Sequence, residues 1–334
     1  MTPSVFDCAA GKKLSEVDIA TGWGSTTSAR AVLERHWDTF ITVSDFEYLA
    51  SIGINTVRLP IGYWSLGPGF LAGTPFANVA DVYQNSWSRV IRAINWAGRY
   101  GIGVLIDLHG APGSQNGEPH SGVSDHQINL FNAPENMDKT INILTFISRT
   151  FADVNNVVGL ELLNEPQYNS VLEDFYTRAI DAIRSTSSAS DLLPIYVHDG
   201  FDLERFSAFV SKRSDFVIQD HHSYFVFTPS DMEEPASQHT NDVTHGIASS
   251  LASVSSGQRC NLVVHEWSCA LTNQSLAGES NKDQARKGFC SAQMKVYQGT
   301  TAGWAFWCKS HIFLKKVQMV VLTLSSVHER RVRS

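Results

Sequence analysis

Between residues 44 and 307 the chain repeats one pattern: a short apolar, β-branched run, then a stretch with apolar residues at helical spacing, then another run. Strands are expected at 54–61, 102–108, 157–163, 195–198, 216–221, 262–265 and 302–307, and helices at 44–52, 86–100, 137–151, 171–183, 203–210, 243–254 and 285–296. Strict alternation of this kind builds a parallel sheet with helices outside it. No glycine-rich phosphate fingerprint follows the first strand, which favours a closed α/β barrel, the (β/α)8 TIM barrel, over a dinucleotide-binding sheet. Helix-to-strand connections are short, whereas the strand-to-helix connections at 62–85, 109–136 and 222–238 are long, so one face of the barrel carries the functional loops.

The count stops at seven strands and begins with a helix, for which Ser44 and Glu47 form a capping-box pattern. An eight-fold barrel begins with a strand, so the first strand is expected to be missing. Residues 1–40 show no sustained periodicity, and 21–28 (TGWGSTTS) has the composition of a loop. Residues 1–308 are taken as one barrel domain. Residues 309–334, with six Lys or Arg against one acid, are taken as an atypical basic tail in place of the last helix. Within that tail the strand-like run 317–324 (VQMVVLTL) is a candidate for the first-strand gap, although its connection is short for a parallel crossover.

A net charge of -7 gives no electrostatic case for nucleic acid or anionic membranes as partners. No apolar run approaches the ~20 residues of a membrane span, and Met1-Thr2-Pro3 opens without the pattern of a signal peptide. The five cysteines lack metal-ligand spacing and their odd number leaves a thiol free; the sequon Asn273-Gln274-Ser275 is compatible with secretion.

The chemistry concentrates where strands end. The run 157–166 (VVGLELLNEP) delivers Asn164 and Glu165 to its C-terminal end, and 261–267 (NLVVHEW) delivers His265, Glu266 and Trp267. A lone strand-end Glu is ordinarily a solvated loop carboxylate. Two on strands that a barrel makes converge form a candidate acid/base pair, as glycosidic bond cleavage requires. Asn164 is placed to bond a sugar hydroxyl. Arg58, inside an apolar strand, needs a buried carboxylate partner, either Glu266 or Glu161. His109, His222 and Tyr224 gather on the same face; three histidines admit a metal, but no HExxH or comparable spacing supports one. Trp307 ends the last strand, suited to stacking on a sugar ring, whereas Trp304 has the opposite parity and packs outward. Ser114, in GAPGSQNG, is not in a GxSxG elbow and is no convincing nucleophile.

Taken in order, VRLPIGYW, IDLHGAPGSQNG, LELLNEP, DHHSYFVF, HEWSCALT and GWAFW resemble glycoside hydrolase family 5, particularly its fungal exo-β-1,3-glucanase branch, over about residues 44 to 308. The resemblance implies a (β/α)8 barrel of retaining enzymes that needs no cofactor and no metal, with Glu165 as general acid/base and Glu266 as nucleophile. It places Arg58, His109, Asn164, His222, Tyr224 and Trp307 among the remaining active-site residues and Phe227 as an aromatic clamp at the pocket mouth. It implies a monomer that takes β-glucan polysaccharide or oligosaccharide, and an extracellular or cell-wall location. The chain departs from the branch in lacking its first strand and that strand's sugar-binding Glu, and in having Glu118-Pro119-His120-Ser121-Gly122 where the branch has FDNSG, losing an aromatic clamp and an acidic sugar ligand. Release of glucose from β-1,3-linked chains is expected, with an endo-glucanase, a β-1,6-glucanase, a glycolipid β-glucosidase or an inactive truncated barrel that only binds carbohydrate as the alternatives. Glu165 is expected to have a raised pKa from repulsion by ionised Glu266.

Overall fold

The computed structural model describes residues 3–308 and 320–324. Seven strands pair in parallel in chain order: β1 (Thr56–Gly62), β2 (Gly103–Gly110), β3 (Val157–Glu161), β4 (Ile195–His198), β5 (Val217–Ser223), β6 (Leu262–Trp267) and β7 (Gly303–Phe306). An eighth, β8 (Val320–Leu324), lies between β7 and β1, antiparallel to both, and closes the barrel. The expected barrel is therefore present with seven parallel strands. The gap left for a first strand is filled from the basic tail, in the reverse of the direction that a (β/α)8 unit would give. An antiparallel neighbour needs no crossover helix, which removes the objection raised by the short connection. The rest of the tail, 309–319 and 325–334, lies outside the described residues.

The helices of the outer layer are α1 (Pro3–Cys8), α2 (Glu16–Thr21), α3 (Thr26–Thr39), α4 (Val43–Ser51), α5 (Ser86–Arg99), α6 (Pro134–Phe151), α7 (Leu172–Arg184), α8 (Ser188–Leu192), α9 (Leu203–Ser211), α10 (Pro229–Glu233), α11 (Ala236–Asp242), α12 (Ala248–Gly257) and α13 (Lys282–Thr300). Three of them lie within residues 1–40, where the sequence shows no sustained periodicity, and of the 21–28 stretch expected as a loop, 22–25 is turn while 26–28 opens α3. Their start signals are local: the Ser15 and Asp18 side chains cap α2 reciprocally, and the Ser25 side chain accepts from Ser28 N ahead of α3. The capping box of α4 is Thr42 with Asp45, two residues earlier than the Ser44–Glu47 pattern. No described helix is long and apolar enough to cross a membrane.

Alternate residues of the strands separate two cores. Val57, Val104, Ile106, Leu160, Ile195 and Val217 pack outward against the helices. Leu105, Tyr196, Ile218, Val263 and Ala305 make an apolar floor inside the barrel. Two residues further along the same strands, the period-2 rule sets Asp107, His198, Asp220, His265 and Trp307 above that floor. The barrel interior is thus apolar at the bottom and ionisable toward the C-terminal ends of its strands, the end where such barrels hold their sites. Trp304 packs edge-to-face on Trp267 at 5.3 Å in a separate cluster, the outward role its parity implies.

Candidate active site

Arg58, fully buried on β1, anchors the site. Its Nε donates to Glu161 Oε2 (2.5 Å), Nη1 to Glu266 Oε1 (2.6 Å) and Nη2 to Asn164 Oδ1 (2.8 Å), with Asp107 Oδ2 3.0 Å from Nη2. The choice between Glu161 and Glu266 as its partner is therefore resolved as both. A guanidinium is suited to this because its five donors leave in a rigid fork. Burial alone would lower the Arg58 pKa, but Asp107, Glu161, Glu266 and Asp220 outweigh it and hold the cation. Burial pushes the Glu161 carboxyl well up, and the Arg58 guanidinium pulls the other way.

Glu266 comes from the end of β6. A regular strand would turn His265 and Glu266 to opposite faces, yet both are buried in the interior. The pairing of β6 slips at His221/His222 on one side and between Val264 and Trp267 on the other, and such irregularities re-aim side chains. Glu266 Oε1 takes Arg58, and Oε2 accepts from the Tyr224 hydroxyl at 2.9 Å. Burial, with Glu266 adding to it, raises the Tyr224 phenol well above its ordinary range, so it stays a donor.

Glu165 stands just past β3 with a left-handed backbone (φ 43°), uncommon for a non-glycine residue and a conformation that costs about 1–3 kcal/mol. The loop after β2 holds it there. Gln115, fully buried, donates to the carbonyls of His109 (2.8 Å) and Asn164 (2.9 Å), and Asn116 Nδ2 donates to the Glu165 carbonyl (3.0 Å). Ser114 serves this loop as well: its hydroxyl meets Ser121 Oγ at 2.6 Å and accepts from Gly117 N at 2.8 Å.

His222, on β5, joins the two glutamates. Its Nδ1 donates to Glu165 Oε1 at 2.7 Å and lies 3.6 Å from Glu266 Oε2, while Nε2 lies 3.5 Å from Asp220 Oδ2. Burial opposes its charge, but Glu266, Asp220 and Glu165 outweigh burial and raise its pKa well above 6.5. The consequence for Glu165 corrects the expectation of a raised pKa. Burial does push Glu165 up, but the hydrogen bond from His222 and the charge of that ring outweigh burial and hold the carboxyl below its ordinary range. The pair shares a proton that rests on His222.

The other expected residues take their places around this centre. His109 Nδ1 meets Asp107 Oδ2 at 2.7 Å, Asn164 Nδ2 faces His109 Nε2 at 3.5 Å, and the Trp307 ring lies parallel to the His109 ring at 5.9 Å. Phe227, 72 % exposed, meets Tyr224 edge-on at 5.4 Å at the rim. Sequence reasoning missed Asp107, Asp220, Gln115, Asn116 and His198, and named His120 and His265 without giving them a role. Asp107 and Asp220 were findable as acids inside apolar runs, whereas the loop residues carry no periodic signal.

Among the described residues two groups have the donor chemistry for a metal: Glu165, His198 and His222, and Glu161, Asp220 and His265, the ligand atoms of each within 4.8 Å of one another. In the first, Glu165 and His222 touch at 2.7 Å, closer than the ~3.3 Å separation of two ligands on a tetrahedral zinc with bonds of about 2.0 Å, so a shared proton fits better.

Residues 20–311 match the family model described as Cellulase (glycosyl hydrolase family 5). The chain is 35% identical over 285 residues to "Glucan 1,3-beta-glucosidase 3" of Schizosaccharomyces pombe, covering 84% of this chain and 59% of that protein. It is 32% identical to "Glucan 1,3-beta-glucosidase" of Kluyveromyces lactis, covering 84% of this chain and 72% of the relative. In fold it is similar to the crystal structure of rutinosidase from Aspergillus niger, with a TM-score of 0.72 at 18% identity over 92% of this chain and 84% of that one.

Proposed function

The chain belongs to glycosyl hydrolase family 5, and from that premise we propose that it is a retaining β-glycosidase that releases glucose from β-1,3-linked glucan. The observation that carries the mechanism is the single nitrogen shared by the two glutamates. Since His222 Nδ1 is 2.7 Å from Glu165 Oε1 and 3.6 Å from Glu266 Oε2, those two oxygens lie no more than 6.3 Å apart, the sum of the two contacts. That bound accommodates the ~5–5.5 Å between the carboxyls of retaining enzymes.

Glu266, held at both oxygens, attacks the anomeric carbon. Glu165 passes a proton to the departing oxygen, and a glycosyl ester forms on Glu266. Water deprotonated by Glu165 then displaces the ester with a second inversion. The electrostatics couple these events. As Glu266 closes on the anomeric carbon and its charge is drawn off, His222 loses one of the anions that keep its proton, and the proton passes to Glu165 in time to be handed to the departing oxygen as the ester forms. Trp307 supplies an aromatic face beside His109, and Phe227 a second one at the rim for the leaving-group sugar. The convergence of both carboxylates, their cation and their proton donor supports catalysis over carbohydrate binding alone. The sulfurs of Cys269 and Cys290 are joined, which favours an extracellular setting.

Proton NMR of the anomeric region during digestion of a short β-1,3-gluco-oligosaccharide tests this proposal. β-Glucose appearing first and mutarotating later is expected. α-Glucose as the first product would sink the retaining mechanism, and longer products without glucose would sink exo action.

A further inference from the structure

The two oxygens of Glu165 have different neighbours. Oε1 is taken by His222, while Oε2 faces His120 Nε2 at 3.7 Å, just beyond hydrogen-bond range. His120 comes from the loop after β2, within the stretch where the chain departs from the family it resembles. We propose that His120 is a positioning residue for the acid/base step, holding Glu165 so that Oε2 is presented to the leaving oxygen. The proposal rests on Glu165 being the acid/base.

Three features of the structure carry it. The backbone of His120 is fixed: Pro119–Ser121 is a single 3-10 turn tied by the Ser121–Ser114 hydroxyl contact of 2.6 Å. It is followed by Gly122 at φ +109°, where a side chain would both be strained and strike Trp64. The same loop reaches Glu165 twice: Asn116 Nδ2 donates to its carbonyl at 3.0 Å, and His120 Nε2 stands 3.7 Å from its carboxylate oxygen Oε2. Finally, His120 Nδ1 is buried without a hydrogen-bond partner among the described residues, a cost that a ring kept only for packing has no reason to bear.

The charged and titratable groups facing His120 are His109 of β2, at 5.2 Å between ring centroids, and Glu165, with Asp107 and His222 beyond them. Burial, with His109 adding to it, lowers the His120 pKa to about 4. The ring is therefore neutral at pH 5 to 7 and bounds the space of Oε2 as a polar wall. A carboxylate with one oxygen bonded to His222 and the other facing His120 across 3.7 Å has little room to turn, and proton transfer depends on that geometry to within a fraction of an ångström.

The test compares leaving groups. A β-1,3-gluco-oligosaccharide needs its departing oxygen protonated, whereas 2,4-dinitrophenyl β-glucoside does not, and kcat/KM reports glycosylation for both. His120→Ala is expected to lower kcat/KM on the oligosaccharide by about 10–100-fold, part of the 10²–10⁴ ascribed to general acid catalysis, while the dinitrophenyl glucoside changes by less than about threefold. His120→Gln, which keeps an N–H donor and guards against misfolding of the alanine variant, is expected to recover part of the loss. An equal fall on both substrates, or no fall on the oligosaccharide, overturns the proposal. Glu165→Ala in parallel separates the premise from the inference. If it keeps full oligosaccharide activity, the acid/base assignment fails and His120 with it; if it shows the selective loss and His120→Ala does not, only the role of His120 fails.

Discussion

Replacing Arg58 by methionine tests whether one buried cation organises both the barrel interior and Glu266, the proposed nucleophile. Arg58 touches three carboxylates, yet its removal does not strand three charges. Asp107 keeps His109 at 2.7 Å and Glu266 keeps Tyr224 at 2.9 Å with His222 at 3.6 Å, which leaves Glu161, bonded to Arg58 alone among the described residues, as the carboxylate stranded. The loss is close to that of one uncompensated buried charge, about 3–5 kcal/mol, against the ~5–15 kcal/mol that holds a typical domain folded. At ~2–4 °C per kcal/mol for a large domain, the midpoint of thermal unfolding should fall by about 6–20 °C. Arg58→Lys keeps the charge and loses the fork, so it should fall between the two. Well below its midpoint, the methionine variant should also lose about 10–100-fold in kcat/KM, because a charge-assisted bond worth ~1.5–3 kcal/mol no longer orients Glu266 Oε1. Circular dichroism melts and kinetics at low temperature read both effects. A methionine variant as stable as the parent would refute the reasoning, since it would mean that apolar packing replaces the ion cluster at no cost. So would a folded variant with unchanged kcat/KM.

Three further tests address separate parts of the molecule. Burial raises Glu16 from 4.5 to about 7, only partly offset by its bond from Tyr83. The folded chain therefore keeps a proton that the unfolded chain releases between those values. The stability this group confers is full at low pH and is lost as pH rises through about 7. Between pH 5 and pH 8 the Glu16→Gln variant should lose roughly 2–3 kcal/mol less stability than the parent; a variant with the same slope as the parent would rule out Glu16 as a source of it. Tyr224→Phe removes the 2.9 Å bond to Glu266 and should lower kcat about 10–100-fold, with the melting point nearly unchanged; an unaltered kcat would exclude Tyr224 from the nucleophile's support. Phe227→Ala, at a residue 72 % exposed, should leave stability within ~0.5 kcal/mol while lowering kcat/KM on oligosaccharides about 5–10-fold and sparing aryl glucosides; equal effects on both would remove Phe227 from the leaving-group side.

The order of strands and helices was written in the sequence because each element carries its own period, and a parallel barrel is the fold that such alternation reaches with all edges closed. The strand-end residues were legible for the same reason: a polar group ending an apolar run stands at the C-terminal rim of the barrel whatever the loops do. Arg58, Glu165, Glu266, His109, Asn164, His222 and Tyr224 all met there. What sequence could not decide was whatever depends on two distant segments at once. The direction of β8 is set by which edges of β1 and β7 remain unpaired, and nothing within 320–324 records that. The turn of Glu266 into the interior beside His265 needs register slips against both neighbouring strands. The resting place of the proton is likewise collective. Repulsion between the glutamates alone would put it on Glu165, but His222 lies between them over Asp220, and that arrangement exists only once β3, β5 and β6 are side by side. Local periodicity determined the elements and the cast of the site. Tertiary structure decided which atoms touch, and therefore the charge each one carries.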